Sequence, residues 1–101
     1  GMGSELNGKF LGIWGYGKIG RIVAGYGRAF GMHVVIWGSE ASLELARQDG
    51  YATASSRESF FEQSDVVSLH LRLSDTTRHM IDHGDLSRMK PTSLLVNTSR
   101  K

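Results

Sequence analysis

Glycines 15, 17 and 20 of this chain sit between an apolar run, Phe10 to Trp14, and an amphipathic helical pattern that begins near Ile19. That spacing suits the binding of two linked phosphates. The first glycine can take a tight turn out of a strand, the second lets backbone approach a pyrophosphate with no side chain in the way, and the third lets a helix lie close on the strand. Amides left unsatisfied at the helix start then face the phosphates, aided by the positive end of the helix dipole. A glycine triplet alone is a weak signal, and a merely structural turn is its plain alternative. At a strand-to-helix junction it points to a dinucleotide, with Gly15, Tyr16, Gly17, Lys18, Ile19 and Gly20 as contacts.

Such a loop needs a sheet behind it, and the rest of the chain supplies one. Phe10 to Trp14, Val34 to Trp37, Val66 to Leu71 and Leu94 to Val96 are short, apolar on successive residues, and rich in β-branched or aromatic types. Strands covered on both faces by helices read this way. Tyr51 to Ala54 is a fifth, weaker candidate. Between the runs, Ile19, Ile22, Val23, Tyr26 and Phe30 form one apolar stripe that predicts a helix closed by Gly31. Ser42 to Gln48 predicts a second helix, Ser56 to Gln63 a third with Ser56 as N-cap, and Asp75 to Met80 and His83 to Met89 short helical turns ended by Pro91. Alternating strands and helices of these lengths predict an α/β fold, a three-layer, doubly wound parallel sheet of order 3-2-1-4-5.

Composition bounds the answer. One hundred and one residues suffice for one domain, residues 1–101, and neither repeat nor linker divides it. Gly1-Met2 reads as a cleavage scar before an initiator. Twelve Lys plus Arg against ten Asp plus Glu leave a net charge of +2, with the basic residues scattered, which argues against a nucleic-acid surface. The chain has no cysteine, so neither disulfides nor thiolate metal sites are available. No apolar run approaches the roughly 20 residues of a membrane span, and a cytoplasmic location is expected.

In a doubly wound sheet, ligands bind beyond the carboxyl ends of the strands where strand order reverses. Three polar segments should converge there: the glycine loop, His70-Leu-Arg-Leu-Ser-Asp-Thr-Thr77, and Asn97-Thr-Ser-Arg100. Together they resemble the nucleotide-binding domain of the D-isomer-specific 2-hydroxyacid dehydrogenases, the phosphoglycerate dehydrogenase-like family. The matching text is Leu11 to Arg21, Ala29-Phe-Gly-Met-His-Val34, Asp65-Val-Val-Ser-Leu-His-Leu71 and Met89 to Arg100, nearly the whole chain. The resemblance implies an oxidoreductase that passes hydride between a nicotinamide and a small 2-hydroxy or 2-oxo acid. By it, amides near Lys18 and Ile19 hold the pyrophosphate, and His70, Leu71, Arg72 and Thr77 line the cleft. Gly38 and Ser39 border the adenosine ribose, Thr98 to Arg100 border the nicotinamide, and Asn97 joins Thr98 and Ser99 among the cofactor contacts. Arg100 stands where the family keeps its substrate-gripping arginine, a role suited to forked donors; a solvated terminal arginine is the alternative.

Departures from the family pattern matter too. The acidic residue that usually closes the second strand is Gly38 here, followed by Ser39 and Glu40, so NAD is favoured only slightly over NADP, through repulsion of a 2′-phosphate by Glu40. The usual proline after the fourth strand is Arg72, and the glycine after the last motif is Lys101. The family's histidine and glutamate acid–base pair, and its substrate domain, have no counterpart in these residues. The chain is therefore expected to be part of a longer two-domain enzyme, binding cofactor weakly without turnover; a stand-alone nucleotide-binding or assembly module is the alternative, and the reading frame beyond Lys101 discriminates them. A different substrate class, a 3-hydroxyacid or an amino acid, fits the joint motifs less well. His70 is expected to be a satisfied strand-end histidine instead of the base. His79 and His83, with Asp82 and Asp85 nearby, have helical metal-pair spacing, but Asp82 and Gly84 interrupt the helix and no metal is expected. Trp14 and Trp37 read as buried strand residues, Trp37 with a chance to flank an adenine. Arg57 with Glu58, and Arg78 with Asp82, read as solvated pairs. An uncovered sheet edge and apolar helix face predict a homodimer.

Overall fold

A computed structural model describes residues 5–70, 83–90 and 94–97 of the chain. The elements run β1 (Phe10–Trp14), α1 (Lys18–Ala29), β2 (His33–Trp37), α2 (Glu40–Gln48), β3 (Ala52–Thr53), α3 (Arg57–Gln63), β4 (Val66–Leu69), α4 (His83–Ser87) and β5 (Leu94–Asn97). All strands are parallel, in the order β3-β2-β1-β4-β5. The predicted order is thus the observed one. The segment expected to turn at Asp75 to Met80 lies outside the described residues.

Alternation along the central strands divides the core between two faces of the sheet. Leu11, Ile13, Val34 and Ile36 pack with Tyr16, Ala24 and Ala46 on the side of α1 and α2. Trp14, Val35, Val67 and Leu69 pack with Ala54, Phe60 and Phe61 on the side of α3. Both faces are covered, which is why the strands read as unbroken apolar runs.

Helix starts follow local chemistry. Ser39 caps α2 by accepting from the Ser42 amide at 3.2 Å, so this helix opens at Glu40, ahead of the predicted Ser42. Ser56 caps α3 as expected, accepting from the Ser59 amide at 3.1 Å. Helix α1 ends near Gly31, whose φ of +77° suits glycine. Strand β3 is shorter than the predicted Tyr51 to Ala54, and α4 ends at Ser87, ahead of the expected Met89.

The apolar stripe of α1 faces mainly away from the sheet. Gly20, Ala24 and Gly27 are buried against the sheet, and Val23 is partly buried. Ile19, Ile22, Tyr26 and Phe30 are 40%, 50%, 63% and 43% exposed. The physical reason is the closeness of the helix to β1: a Cβ on Gly27 would stand 2.5 Å from Leu11 Cδ2, so only small residues fit beneath the helix. Large apolar side chains at the same helical period are turned outward.

Arg57 also departs from expectation. Its guanidinium forks onto the Asp85 carboxylate, with Nε and Nη2 donating at 3.0 and 2.6 Å, and lies 5.2 Å from the Trp14 ring centroid. Asp85 is buried, whereas Glu58 is exposed as the sequence suggested. Arg78 and Asp82 lie outside the described residues. Removing the guanidinium takes two charge-assisted bonds from a buried carboxylate, so Arg57→Met is expected to cost about 2–3 kcal/mol. Urea unfolding checks this: Glu58→Ala should stay within about 0.5 kcal/mol of the parent, and equal effects from both substitutions would contradict the assignment.

At the amino-terminal rim, Asp65 accepts from the Phe10 amide at 2.8 Å and from Lys90 Nζ at 3.0 Å. The Phe10 hydrogen bond is the main reason its carboxyl stays below the ordinary range, with Lys90 adding to it. A depressed carboxylate stabilises the fold above its unfolded value and loses that contribution as pH falls through the folded one.

Candidate dinucleotide-binding site

Strand register brings the expected site onto one rim. Trp14 pairs with Trp37 on one side and Leu69 on the other, and Leu69 pairs with Asn97, so four carboxyl ends stand in a row. Strand order reverses at β1, and the glycine loop leaves from that point.

Gly15 is wedged between the neighbouring strand ends. Its amide donates to the Trp37 carbonyl at 2.9 Å, and the His70 amide donates to the Trp14 carbonyl at 2.9 Å. Its φ is +99°, and a Cβ there would stand 2.8 Å from the His70 carbonyl oxygen. Gly20 lies under the same loop: a Cβ on it would be 2.3 Å from the Gly15 carbonyl oxygen. Both glycines hold the positions the fingerprint requires of them.

Gly17 differs from both. A Cβ built on it meets nothing within 4 Å, so the space in front of it is open. It is the N-cap residue of α1, has no side chain to cap the helix, and is followed by a first turn without Asp or Glu. Helices α2 and α3 each have a serine cap and a glutamate in the first turn. No capping side chain and no first-turn carboxylate therefore engages the opening amides of α1 or the positive end of its dipole. Lys18 and Ile19, the residues of those amides, are exposed.

Tyr16 points the other way. The residue is 3% exposed, its ring packs in the core near Tyr51, and its hydroxyl donates to Asp49 Oδ2 at 2.5 Å. Burial, reinforced by the Asp49 carboxylate, pushes the phenol up to about 12. A phenol pKa raised by folding keeps the group protonated and its bond intact below the ordinary value near 10, and the contribution fades only as pH climbs towards about 12. Any contact between Tyr16 and a ligand falls to its backbone.

Gly38 and Ser39 follow β2 on the same rim, Gly38 close enough that its Cβ would lie 3.5 Å from the Gly15 amide nitrogen. Ser39 is exposed and spends its hydroxyl on the α2 cap. Trp37 is half-buried, and Trp14 is buried against Phe60 and Phe61. His70 sits at the end of β4 with Nε2 2.7 Å from Ser68 Oγ. Burial pulls its imidazole below the ordinary histidine value, which favours the neutral ring. Leu71, Arg72, Thr77, Thr98, Ser99 and Arg100 lie outside the described residues. So do His79 and Asp82 of the metal-like spacing, whose Asp85 is held by Arg57.

Two groups escaped the sequence reading, the Tyr16–Asp49 bond and the Arg57–Asp85 fork. Both join residues 28 or more positions apart, and no local spacing announces such a pair. A groove of about 550 Å³ lies elsewhere, along β3 and α3 and reaching Phe10 at the amino end of β1. No described helix is long and apolar enough to cross a membrane.

Fold and rim together define a dinucleotide-binding domain of the doubly wound class. Residues 1–101 match the model of the D-isomer specific 2-hydroxyacid dehydrogenase, NAD binding domain. A glyoxylate reductase of Aeropyrum pernix is 44% identical over 99 residues, which are 98% of this chain and 29% of that protein. An oxidoreductase structure from Ralstonia solanacearum superposes with a TM-score of 0.90 at 65% identity, covering 93% of this chain and 28% of that one. The D-lactate dehydrogenase of Aquifex aeolicus, solved with NAD and lactic acid, gives 0.81 at 38% identity, covering 93% and 28%. The chain belongs to the D-isomer specific 2-hydroxyacid dehydrogenase family and corresponds to its NAD-binding domain. It spans under a third of the length of these relatives.

Proposed function

We propose that this chain seats the pyrophosphate of a nicotinamide dinucleotide on the opening amides of α1, within a protein that interconverts a small 2-hydroxy acid and its 2-oxo acid. The observation that carries the reading is the open space before Gly17 at a helix start that lacks both a side-chain cap and an acidic first turn. The family match supports the dinucleotide, and the relatives' glyoxylate and lactate chemistry supports the acid.

When bound, the nicotinamide supplies or accepts the hydride. The chain's own work is to bind and orient. Lys18, Ile19 and Gly20 present amides to the phosphates, Gly38 and Ser39 border the adenosine ribose, and His70, Leu71, Arg72 and Thr77 line the cleft. Asn97, Thr98 and Ser99 border the nicotinamide, and Arg100 grips the substrate carboxylate through its forked donors. Proton transfer to the substrate oxygen falls to residues beyond these.

NAD is the preferred form. Glu40 is exposed in the first turn of α2, two residues past the β2-end glycine, and repels a 2′-phosphate. No arginine lies between Gly38 and Ala46 to receive one. Calorimetric titration tests the reading: NADH should bind more tightly than NADPH, the reverse order would contradict the preference, and silence from both at millimolar concentration would contradict the function.

The outward stripe of α1 supports a homodimer. Ile19, Ile22, Tyr26 and Phe30 form an apolar face on one helix, the kind of surface a second copy covers. Light scattering at high concentration should give twice the chain mass, and a monomeric mass would defeat the proposal.

A further inference from the structure

The glycine loop is fastened at both ends by backbone. Gly15 is bonded to the end of β2, and Gly20 presses on the Gly15 carbonyl. The middle has no such support: Gly17 meets nothing, and Lys18 and Ile19 are exposed. Among the described residues, one side chain of this middle stretch makes a polar bond to another element. It is Tyr16, whose hydroxyl reaches Asp49, 33 residues away at the C-cap of α2.

Asp49 is itself held in place. Its amide donates to the Leu45 carbonyl at 3.1 Å, and Arg21 of α1 approaches its carboxylate at 3.5 Å. The same guanidinium lies 5.8 Å from the Tyr16 ring centroid. Beyond the turn, Tyr51 packs edge-on against Tyr16 and carries the Arg28 guanidinium 4.0 Å above its ring. The loop, the first helix and the α2–β3 turn thus meet at one carboxylate. A phenylalanine at position 16 would fill the same volume, so the hydroxyl adds direction to an anchor that packing alone leaves free to rotate and slide.

We propose that Tyr16 is a positioning residue for the phosphate cradle: its bond to Asp49 sets the height and tilt of the loop, and with them the aim of the amides that follow. The inference rests on the phosphate-cradle reading above. Tyr16 touches no ligand atom through its ring; it acts through the backbone of Gly17 and Lys18.

The test compares ADP-ribose, which carries the pyrophosphate, with adenosine, which carries none, each titrated into the chain by NMR. For Tyr16→Phe, ADP-ribose affinity should fall about five- to tenfold, the loss of one well-directed hydrogen bond, and adenosine affinity should be unchanged. Asp49→Leu should reproduce the loss, which also guards against a poorly folded Tyr16→Phe. Asp49→Asn, which keeps an acceptor oxygen, should restore most of the affinity. The double variant Tyr16→Phe/Asp49→Leu should be no weaker than either single one. Unchanged ADP-ribose binding in both single variants would overturn the proposal while leaving the cradle intact. Equal losses for ADP-ribose and adenosine would overturn it as general loosening. Failure of the parent chain to bind ADP-ribose would remove the cradle reading itself, and this proposal with it.

Discussion

Gly17→Asp leaves the chain as stable as its parent and removes dinucleotide binding. The stability half follows from the cap. Gly17 has φ −88° and ψ −160°, an extended conformation open to any residue, and a Cβ there meets nothing within 4 Å. Aspartate is among the preferred N-cap residues because its carboxylate accepts from the amides two and three positions on, and it favours the positive end of the helix dipole. Melting temperature should hold or rise. The binding half follows from the same geometry, because that carboxylate consumes the donors meant for the phosphates and sets a negative charge against two more. At about 4 Å and an effective dielectric near 20 one such repulsion is on the order of 4 kcal/mol, so NADH affinity should fall at least about a hundredfold. An aspartate variant that melts lower and still binds would mean that α1 does not receive the anion.

Three residues further on, the outcome reverses. Gly20→Val is expected to damage the fold first. Its Cβ would stand 2.3 Å from the Gly15 carbonyl oxygen, a backbone atom that can move only if the loop or the helix moves. Gly15 in turn is bonded to the end of β2 and closes on the His70 carbonyl, so little slack is available. Overpacking of this kind costs about 1–3 kcal/mol, and the better helix propensity of valine over glycine offsets only a few tenths of it. Denaturant unfolding should record a drop of that size, accompanied by weaker binding because the cradle is displaced. A Gly20→Val chain of parental stability would show that the helix has room to withdraw.

The contrast between positions 17 and 20 marks how far sequence alone could go. The packing of Gly15 and Gly20 was legible because each depends on neighbours within the loop and on the strand before it. Strand order was legible too, since unbroken apolar runs joined by helical stretches leave few arrangements. The facing of α1 was not. Its periodic large residues, Ile19, Ile22, Tyr26 and Phe30, announced a helix and not the side it turns to the sheet; the glycine fingerprint brings the helix so close to β1 that Gly20, Ala24 and Gly27 take the inside. Arg57 and Tyr16 escaped for a different reason: their partners, Asp85 and Asp49, are 28 and 33 residues away, and only the folded chain joins them.

The most direct measurement of the central claim is a two-dimensional NMR titration of the chain with ADP-ribose, reading backbone amides one by one. The amides of Lys18, Ile19 and Gly20 should shift most, with smaller changes at Gly38 and His70 on the same rim. Shifts confined to the groove along β3 and α3, with Lys18 and Ile19 unmoved at saturation, would contradict the account.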